Sequence, residues 1–453
     1  MNSIRMTSKQ FEILRSYLLS DPEQEAAAFL VAGFFKNDKG IHFVVRDVLI
    51  PEDKDYDFRS SYHLEVSPIF FNKAISRAER NNVTVIQCHS HPFSRDELWY
   101  SPSDYAGEST SSKTIYDCLE SKPMGSLLFG QNMIMGRIWL APGKKPEPID
   151  EIRIVDRHMQ INKISSRFES KEKIDTDLYD RQIRAFGIKG QKLLSQLTVG
   201  IVGAGGTGSA VAEQLAREGV TKFVIVDHDK FTKSNKTRLY GSYETTKESE
   251  YKVDIVKKNI QKIEPKVNVK TIPGNVISQN VLHQLKNCDV VFSCTDRHAP
   301  RSVLNELAHQ FFIPLIDVGV GLDAKNEKIE GGSVRVSLSS PSLPCLYCMG
   351  IINSDQILAE SLSKDERESR QKEGYVKGMM DDVPSVITFT TMAASYAVLL
   401  FKDLFFNIIK SNSNTILLDV TTFVTSRLAA TVQNDCVCTL RMGKGEYMHM
   451  SAP

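Results

Sequence analysis

Two histidines and an aspartate in the N-terminal part of the chain have the residue types and the spacing of a metal site. His89 and His91 lie two positions apart along a predicted strand that starts at Val83, so their side chains project from the same face. Pro92 ends that strand, and Asp104 supplies a carboxylate as a third ligand. Three such ligands predict a tetrahedral Zn²⁺ with an open position for water, which the metal turns into a nucleophile.

A hydrolytic zinc site also needs a general base that is not a ligand. Glu25, just ahead of an apolar run, is the candidate, because a carboxylate bonded to the metal water can carry its proton to a leaving amine. Ser101 is the candidate donor to a tetrahedral oxyanion. The alternative is a merely polar histidine pair on a surface strand, and only the complete set argues against it.

A glycine-rich turn further along the chain predicts a nucleotide site. The pattern G-x-G-x-x-G stands between a predicted strand and a predicted helix, and an acidic residue ends the next strand. Phosphates bind at such a helix N-terminus and the acid binds the ribose. The predicted cofactor-binding residues here are Gly203, Gly205, Gly206, Gly208, Asp227 and Asp229. Taken alone, this stretch fits any dinucleotide-binding enzyme, so a dehydrogenase is the alternative.

Cationic side chains and one further carboxylate around this turn suit a triphosphate better than a nicotinamide. They are Arg181 in Tyr-Asp-Arg-Gln-Ile, Asn235 and Arg238 in Ser-Asn-Lys-Thr-Arg, Lys252 at the start of a helix, and Asp296 in Ser-Cys-Thr-Asp. When a carboxylate attacks the α-phosphorus of ATP, pyrophosphate leaves, so the enzyme must neutralise its charge while an acid holds Mg²⁺. Hydride transfer has no such need.

Four of the eight cysteines fall in two close pairs near the C-terminus, Cys345 with Cys348 and Cys436 with Cys438. In a reducing compartment, close pairs of this kind suggest a metal site rather than disulfides. The alternative is four reduced thiols in the core.

The first constellation resembles the JAB/JAMM (MPN) metalloproteases, which remove ubiquitin-like proteins or trim their C-termini. The resemblance covers about residues 5 to 140, and it rests on Glu, His-x-His-Pro and Ser-x-x-Asp occurring in that order. Two departures stand out. The interval from His91 to Asp104 is two residues longer than usual, which suggests a bulged loop from Phe93 to Tyr100, and Glu25 lies one residue further from its glycine than in many members.

The second constellation resembles the ThiF-type and ubiquitin-activating enzymes over about residues 174 to 445. This resemblance implies Asp227 on ribose, Asp296 on Mg²⁺, a homodimer, and Arg181 as a finger that reaches into the partner subunit. It also implies that Asn235, Arg238 and Lys252 bind phosphates. The cysteine pairs resemble the structural zinc site of that family, although the second pair is Cys-x-Cys here instead of Cys-x-x-Cys.

The cysteine that forms a thioester in many of those enzymes has no counterpart here, because no cysteine lies between Cys348 and Cys436. One interpretation is that the enzyme stops at the adenylate. The other is that Ser385, which follows Pro384 in the segment from Asp381 to Thr388, accepts the acyl group as an oxyester. The simpler interpretation of Ser385 is a helix N-cap.

The chain of 453 residues is too long for one hydrophobic core, and its 41% hydrophobic and 25% charged residues are typical of globular domains. The predicted fold class is α/β. An N-terminal α+β JAB/MPN domain (1–145) and a linker (146–173) precede a Rossmann-like, doubly wound ThiF-type adenylation domain (174–453) with a crossover loop at about 350–385. The predicted linker contains a helix or strand that docks on either domain.

A net charge of +1 gives no argument for nucleic acid or an anionic membrane as a partner. No secretion signal is evident at the N-terminus, so the expected location is the cytoplasm. The uncharged stretch from Val383 to Phe401 is long enough to cross a bilayer, but it carries a proline, serines and threonines, which favours a buried helix.

The preferred hypothesis is a bifunctional enzyme of a bacterial ubiquitin-like pathway that uses ATP, Mg²⁺ and two Zn²⁺ ions, one catalytic and one structural. Its partners would be a ubiquitin-like protein with a C-terminal glycine and a conjugating-enzyme-like protein. A second hypothesis assigns both activities to a sulfur-carrier protein that becomes a thiocarboxylate. A third, non-enzymatic hypothesis treats the N-terminal part as a scaffold that only binds the carrier.

Overall fold

The computed structural model of the protein describes residues 1–165, 173–362, 366, 384–428 and 430–446. The chain divides into two compact units. The first takes in residues 1–165, 310–312 and 441–446 of the described chain, and the second takes in the rest.

The first unit is built on a mixed nine-stranded sheet with helices on both faces. The helices are α1 (Ser8–Leu18), α2 (Pro68–Arg80) and α3 (Pro102–Cys118). The strands are β1 (Ser3–Met6), β2 (Ala27–Asn37), β3 (Gly40–Leu49), β4 (Tyr56–Arg59), β5 (Leu64–Val66), β6 (Thr84–Ser90), β7 (Met124–Phe129), β8 (Ile134–Trp139), β9 (Glu147–Pro148), β10 (Glu151–Val155) and β11 (Met159–Lys163). Their order in the large sheet is β11-β10-β1-β3-β2-β6-β7-β8-β9, and β4 and β5 form a separate hairpin.

Alternating side chains of β2 supply the two hydrophobic cores of this unit. Leu30 and Ala32 face the core that includes Leu14 and Leu18 of α1. Phe29 and Val31 face the opposite core, together with residues of α2 and α3. This alternation is the period of two that a strand covered on both faces requires.

The segment predicted to be a linker, 146–173, belongs largely to this sheet. It holds β9, β10 and β11, and the register from Ser3↔Glu151 to Met6↔Ile154 pairs β10 in parallel with β1. The first unit therefore extends past residue 145.

The last described residues of the chain lie against the first unit. Gly445 forms a parallel bridge with Phe34, the N–H of Gly33 donates to the carbonyl of Gly443 at 3.0 Å, and Lys444 donates to the carbonyl of Asn81 at 2.9 Å. A Cβ on Gly33 would lie 2.4 Å from the Gly443 oxygen, so only glycine fits there. Residues 441–446, predicted as part of the C-terminal domain, thus pack as part of the first unit.

The second unit is a doubly wound α/β fold. Its helices are α4 (Asp180–Gln196), α5 (Gly206–Arg217), α6 (Lys252–Ile263), α7 (Gln279–Gln284), α8 (His298–Phe311), α9 (Ser354–Ser361), α10 (Ile387–Phe406) and α11 (Val437–Leu440). Its strands are β12 (Thr198–Val202), β13 (Lys222–Val226), β14 (Asn268–Ile272), β15 (Val290–Ser293), β16 (Leu315–Lys325), β17 (Lys328–Ser339), β18 (Thr415–Asp419) and β19 (Thr425–Ser426).

The strand order is β14-β13-β12-β15-β16-β17-β18-β19, with the first five strands parallel and the last three antiparallel to their neighbours. The order reverses between β12 and β15. Ligands of open parallel sheets bind outside the carboxyl ends of the strands at such a point. The Rossmann-like prediction is confirmed, and the glycine-rich turn follows β12.

Among the described residues, α10 is the one helix that is long and apolar enough to span a membrane, and half of its most apolar 18-residue window is buried. It packs against α5, β16 and β17 of the second unit. That packing matches the buried core helix expected from the sequence. Residues 363–365 and 367–383, which make up most of the predicted crossover loop, lie outside the described residues.

Candidate functional sites

The structure brings the three predicted zinc ligands together. Nε2 of His89 lies 3.3 Å from a carboxylate oxygen of Asp104, and Nε2 of His91 lies 3.6 Å from the other oxygen. Ligand atoms at 2.0–2.1 Å around a tetrahedral Zn²⁺ are about 3.4 Å apart, so the set has the right size. Nε2 of His89 is buried and makes no hydrogen bond within the described chain. An imidazole nitrogen left in that state fits a metal ligand.

Local structure explains how the three ligands converge. His89 is paired with Ala27 in the β2–β6 ladder, and His91 follows the end of β6. Asp104 is the N3 residue of α3 and Ser101 is its N-cap, with the backbone N–H of each bonded to the side chain of the other at 3.1 and 2.7 Å. This capping box holds Asp104 at the site. Ser101, predicted as an oxyanion donor, is thus a helix cap, and its hydroxyl also contacts Ser103 at 2.8 Å.

Glu25 lies beside the ligands and is almost completely buried, with Oε1 at 3.5 Å from Nε2 of His91. Burial raises the pKa of its carboxyl to about 7. Burial likewise lowers the pKa of His91 to about 4. The pKa of Asp104 lies below its usual range, because the nearby His89 and the Ser101 N–H outweigh the opposing effect of burial. A carboxyl near neutral pKa beside an ionised one suits a proton carrier.

A second layer of contacts around this site was not predicted from the sequence. Glu108 is buried and accepts hydrogen bonds from Ser126 at 2.5 Å, Arg137 at 2.6 Å and Trp139 at 2.8 Å. The Arg137 guanidinium stacks 3.6 Å from the ring of Tyr100, whose ring in turn is near His89. This network holds the end of the loop before Asp104. Its residues lie on three elements far apart in the sequence, so no local pattern marks them.

The glycines of the second site have three different physical roles. Gly203 has φ +92°, and a Cβ there would lie 2.5 Å from the carbonyl oxygen of Cys294. A Cβ on Gly208 would lie 1.8 Å from the oxygen of Gly203, so Gly208 allows α5 to pack on β12. A Cβ on Gly205, the N-cap of α5, would meet nothing within 4 Å. The space at Gly205 leaves room for a phosphate to approach the helix N-terminus.

The acidic residues after β13 also fit a nucleotide. Asp227 accepts hydrogen bonds from the backbone N–H groups of Ala204 at 2.7 Å and Asp229 at 2.8 Å, which orients its carboxylate beside the glycine turn. Burial raises the pKa of Asp227. Lys252, the first residue of α6, forms an ion pair with Asp229 at 2.7 Å. Lys252, a predicted phosphate ligand, therefore contacts Asp229, another predicted nucleotide-binding residue, directly.

These positions match a family model. The model of the ThiF family covers residues 179–439, which is more than half of the chain. The chain belongs to the ThiF family. Every predicted nucleotide residue lies inside the matched region.

Curated relatives cover shorter stretches of this ThiF protein. The adenylyltransferase and sulfurtransferase MOCS3 of Caenorhabditis briggsae is 33% identical over 39% of the chain and 42% of its own length. The sulfur carrier protein adenylyltransferase of Thermus thermophilus is 32% identical over 32% of the chain and 54% of its own length. Ubiquitin-like modifier-activating enzyme 5 of Culex quinquefasciatus is 28% identical over 36% and 44%. The chain thus spans about half the length of these relatives or less.

Among solved structures, MccB of Escherichia coli with AMPCPP and MccA has a TM-score of 0.48 and 17% identity, and the match covers 59% of this chain and 75% of that chain.

Two further predicted phosphate ligands of the ThiF domain are held by its own backbone. The buried side chain of Asn235 accepts from the N–H of Thr232 at 3.0 Å and caps a short 3₁₀ helix, Lys233–Thr237. Arg238 donates to the carbonyl of Ser234 at 3.0 Å, and its stem lies against Gly206. Arg238 therefore stands next to the glycine turn and is partly exposed, whereas the described contacts of Asn235 are to its own loop.

The remaining two predicted residues of the ThiF site are exposed to solvent. Asp296 follows β15 in the loop that leads into α8, and Arg181 lies in the first turn of α4. Asp296 is on the carboxyl side of the sheet, as a metal-holding acid requires. The exposed position of Arg181 is compatible with the predicted finger.

Ser385 of the ThiF domain is half-buried and precedes Val386, the N-cap of α10, which makes no side-chain cap hydrogen bond. The interpretation of Ser385 as the N-cap is therefore wrong by one residue. In the first turn of α10, Thr390 lies 3.1 Å from where a Cβ on Gly206 would stand. The start of α10 is thus next to the nucleotide turn. Residues 381–383, which belong to the same predicted segment, lie outside the described chain.

The four C-terminal cysteines of the ThiF domain converge. Sγ of Cys345 lies 3.7 Å from Sγ of Cys348 and 3.4 Å from Sγ of Cys436, and the sulfurs of Cys348 and Cys438 are 3.8 Å apart. Thiolates at 2.3 Å around a tetrahedral zinc are about 3.8 Å apart. The Cys-x-Cys spacing therefore does not prevent a four-sulfur site, because Cys438 lies on the short helix α11.

Proposed function

We propose that the chain is a bifunctional enzyme of a ubiquitin-like protein pathway. Its C-terminal unit adenylates the terminal glycine of a ubiquitin-like protein, and its N-terminal unit cleaves or trims the same protein in the manner of JAB/JAMM zinc proteases. The first assignment is supported by membership of the ThiF family and by relatives whose names include adenylyltransferase. The second is supported by the metal-ligand geometry alone.

In the adenylation step, the carrier carboxylate attacks the α-phosphorus of ATP, and the bond to pyrophosphate breaks. The N–H groups at the start of α5 and the cations Arg238 and Lys252 neutralise the phosphates. Asp227 accepts from the ribose hydroxyls. Asp296 would hold Mg²⁺, which would neutralise further charge on the leaving pyrophosphate. Lys252 must then exchange Asp229 for a phosphate.

After adenylation, we assign acyl transfer to Ser385. Its hydroxyl would attack the glycyl carbonyl, AMP would leave, and an oxyester would form. Support for this step comes from the position of Ser385 just before α10, the helix whose first turn brings Thr390 close to Gly206. Replacing Ser385 by Cys should give a covalent adduct that thiols reverse, whereas Ser385→Ala should keep adenylation and lose transfer. Full conjugation by Ser385→Ala would overturn the assignment.

In the hydrolytic step, a zinc ion held by His89, His91 and Asp104 would acidify the attacking water. Glu25 takes the proton of that water and carries it to the leaving amine. The observation that carries this proposal is the convergence of three ligand atoms with a buried carboxyl at 3.5 Å. The same convergence disfavours the non-enzymatic scaffold, since a scaffold needs no buried base. Glu25→Gln should abolish cleavage of a carrier fusion and keep the metal.

The test of the reaction class is ATP–pyrophosphate exchange in the presence of a small β-grasp protein. Exchange should require the free terminal glycine of that protein, and a carrier with an amidated terminus should support none. The assembly we propose is a homodimer in which Arg181 reaches into the partner subunit, followed by a conjugating-enzyme-like acceptor. We also propose a structural zinc at the four cysteines.

A second candidate is activation of a sulfur-carrier protein, and the names of the relatives favour it, because two of them include sulfurtransferase or sulfur carrier. Both candidates share the adenylate. A thiocarboxylate on the carrier would support sulfur transfer, and an amide-linked target would support conjugation.

A further inference from the structure

The backbone of Glu25 is held by a hairpin outside the main sheet. Glu25 lies two residues before β2, where neither the β2–β6 ladder nor the β2–β3 ladder has begun. Its N–H donates to the carbonyl of Ser60 at 2.9 Å, and its carbonyl accepts from Nε of Arg59 at 2.6 Å. Both backbone polar groups of the buried Glu25 are therefore satisfied by the β4–β5 hairpin.

Ala26 and Ala27, the next two residues, pair with the end of β6. Ala26 exchanges two hydrogen bonds with Ser90, both 3.0 Å long, and Ala27 enters the ladder opposite His89. The ligand strand therefore holds Ala26 and Ala27, but it does not hold Glu25. The orientation of the Glu25 carboxylate depends on the hairpin.

The hairpin is anchored through Tyr56. Its hydroxyl donates to the carbonyl of Ala27 at 3.2 Å and accepts from the Ala27 N–H at 3.1 Å, and it meets the hydroxyl of Tyr17 at 2.8 Å. The Arg59 guanidinium lies over the Tyr56 ring at 5.3 Å. An isolated two-stranded hairpin is marginally stable in water, so these contacts fix its position.

We propose that Arg59, with Tyr56, is a positioning residue of the hydrolytic site, which holds the Glu25 main chain so that its carboxylate stays beside His91. This inference rests on the proposed hydrolytic function. Arg59 touches neither the ligands nor the substrate and acts through Glu25. A merely structural arginine would change the melting temperature of the unit without changing the rate of one step.

The variant that tests this is Arg59→Met, which keeps much of the aliphatic stem and removes the donor. The matched control is Asp53→Asn, because Asp53 is fully exposed and only approaches another nitrogen of Arg59 at 3.8 Å. With a ubiquitin-like fusion that carries a reporter after its terminal glycine, Arg59→Met should lower kcat roughly tenfold, as loss of an outer contact does, and leave KM within twofold. Asp53→Asn should behave as wild type.

One further measurement separates positioning of Glu25 from failure of the proposed function. Hydrogen–deuterium exchange of the Glu25 amide should be faster in Arg59→Met and in Tyr56→Phe, and this readout needs no substrate. If wild-type protein fails to cleave, the hydrolytic function falls while the exchange result still stands. An unchanged Glu25 amide, or an unchanged kcat in an active enzyme, overturns the inference.

Discussion

The two candidate sites differ in how far the chain assembles them by itself. In the first unit, the three predicted ligand atoms and a buried carboxyl already lie within a few ångströms of one another. In the second unit, Lys252 is paired with Asp229, Asn235 caps a 3₁₀ helix, and Asp296 and Arg181 face solvent. The comparison indicates that the proposed metal site is arranged by the fold of one strand end and one helix start, whereas the proposed nucleotide site would be completed by its substrates.

The variant with the largest expected effect should remove one activity and leave the other. His91→Ala removes one of three ligands, so zinc should be lost from the first unit and cleavage should fall to the background rate. ATP–pyrophosphate exchange should stay within twofold of wild type. Metal content and both assays on one preparation check this. A loss of both activities would contradict the independence of the two sites.

The converse change is Asp296→Asn. Loss of the acid that we assign to Mg²⁺ should remove several kcal/mol of charge stabilisation, which corresponds to about 100-fold or more in the exchange rate. Cleavage should be unchanged, because Asp296 belongs to the other unit. If exchange persists at the wild-type rate and Mg²⁺ dependence, Asp296 does not hold the metal.

Two glycines of one turn give a matched pair. Gly205→Ala adds a Cβ in open space, so the melting temperature should be kept while ATP affinity falls roughly tenfold, since the methyl group occupies the phosphate approach. Gly208→Ala places a Cβ 1.8 Å from the Gly203 oxygen and should destabilise the second unit. Calorimetry with and without ATP distinguishes them. Equal melting temperatures in both variants would contradict this division of roles.

A smaller effect is expected at the cysteines. Cys438→Ser should lower the zinc content by one equivalent and reduce the melting temperature of the second unit, because a structural zinc contributes directly to folding. Cleavage should persist. Full zinc content in this variant would indicate four reduced thiols.

The smallest expected effect concerns the helix cap. Ser101→Ala removes the side-chain half of the capping box and should cost about 1 kcal/mol of stability. Cleavage should fall moderately, because Asp104 is held less firmly. Ser101→Asp, which can still cap, should recover stability in a thermal melt. An undiminished melting temperature in Ser101→Ala would show that the cap contributes little.

Sequence patterns predicted the parts that depend on local periodicity and on ligand chemistry. The spacing of His89 and His91 predicted that both imidazoles lie beside Asp104, and they do, although His91 lies just beyond the end of β6. Contacts between residues far apart in the sequence could not be predicted from local patterns. The Glu108 network joins a helix and two strands, and β10 pairs with β1 across almost the whole first unit. Ser101 shows a further limit, since the Ser-x-x-Asp motif that predicted an oxyanion donor is also the sequence of a helix capping box, which is what the structure shows.

The segment 441–446 beside Gly33 and Phe34 has a practical consequence for producing the two halves separately. A fragment that ends near residue 165 would expose backbone groups of β2 that the distant end of the polypeptide normally covers, and an open strand edge invites association with other chains. Expression of the N-terminal half should therefore improve when a peptide corresponding to Arg441–Glu446 is fused or added, and affinity tags are better attached away from that end.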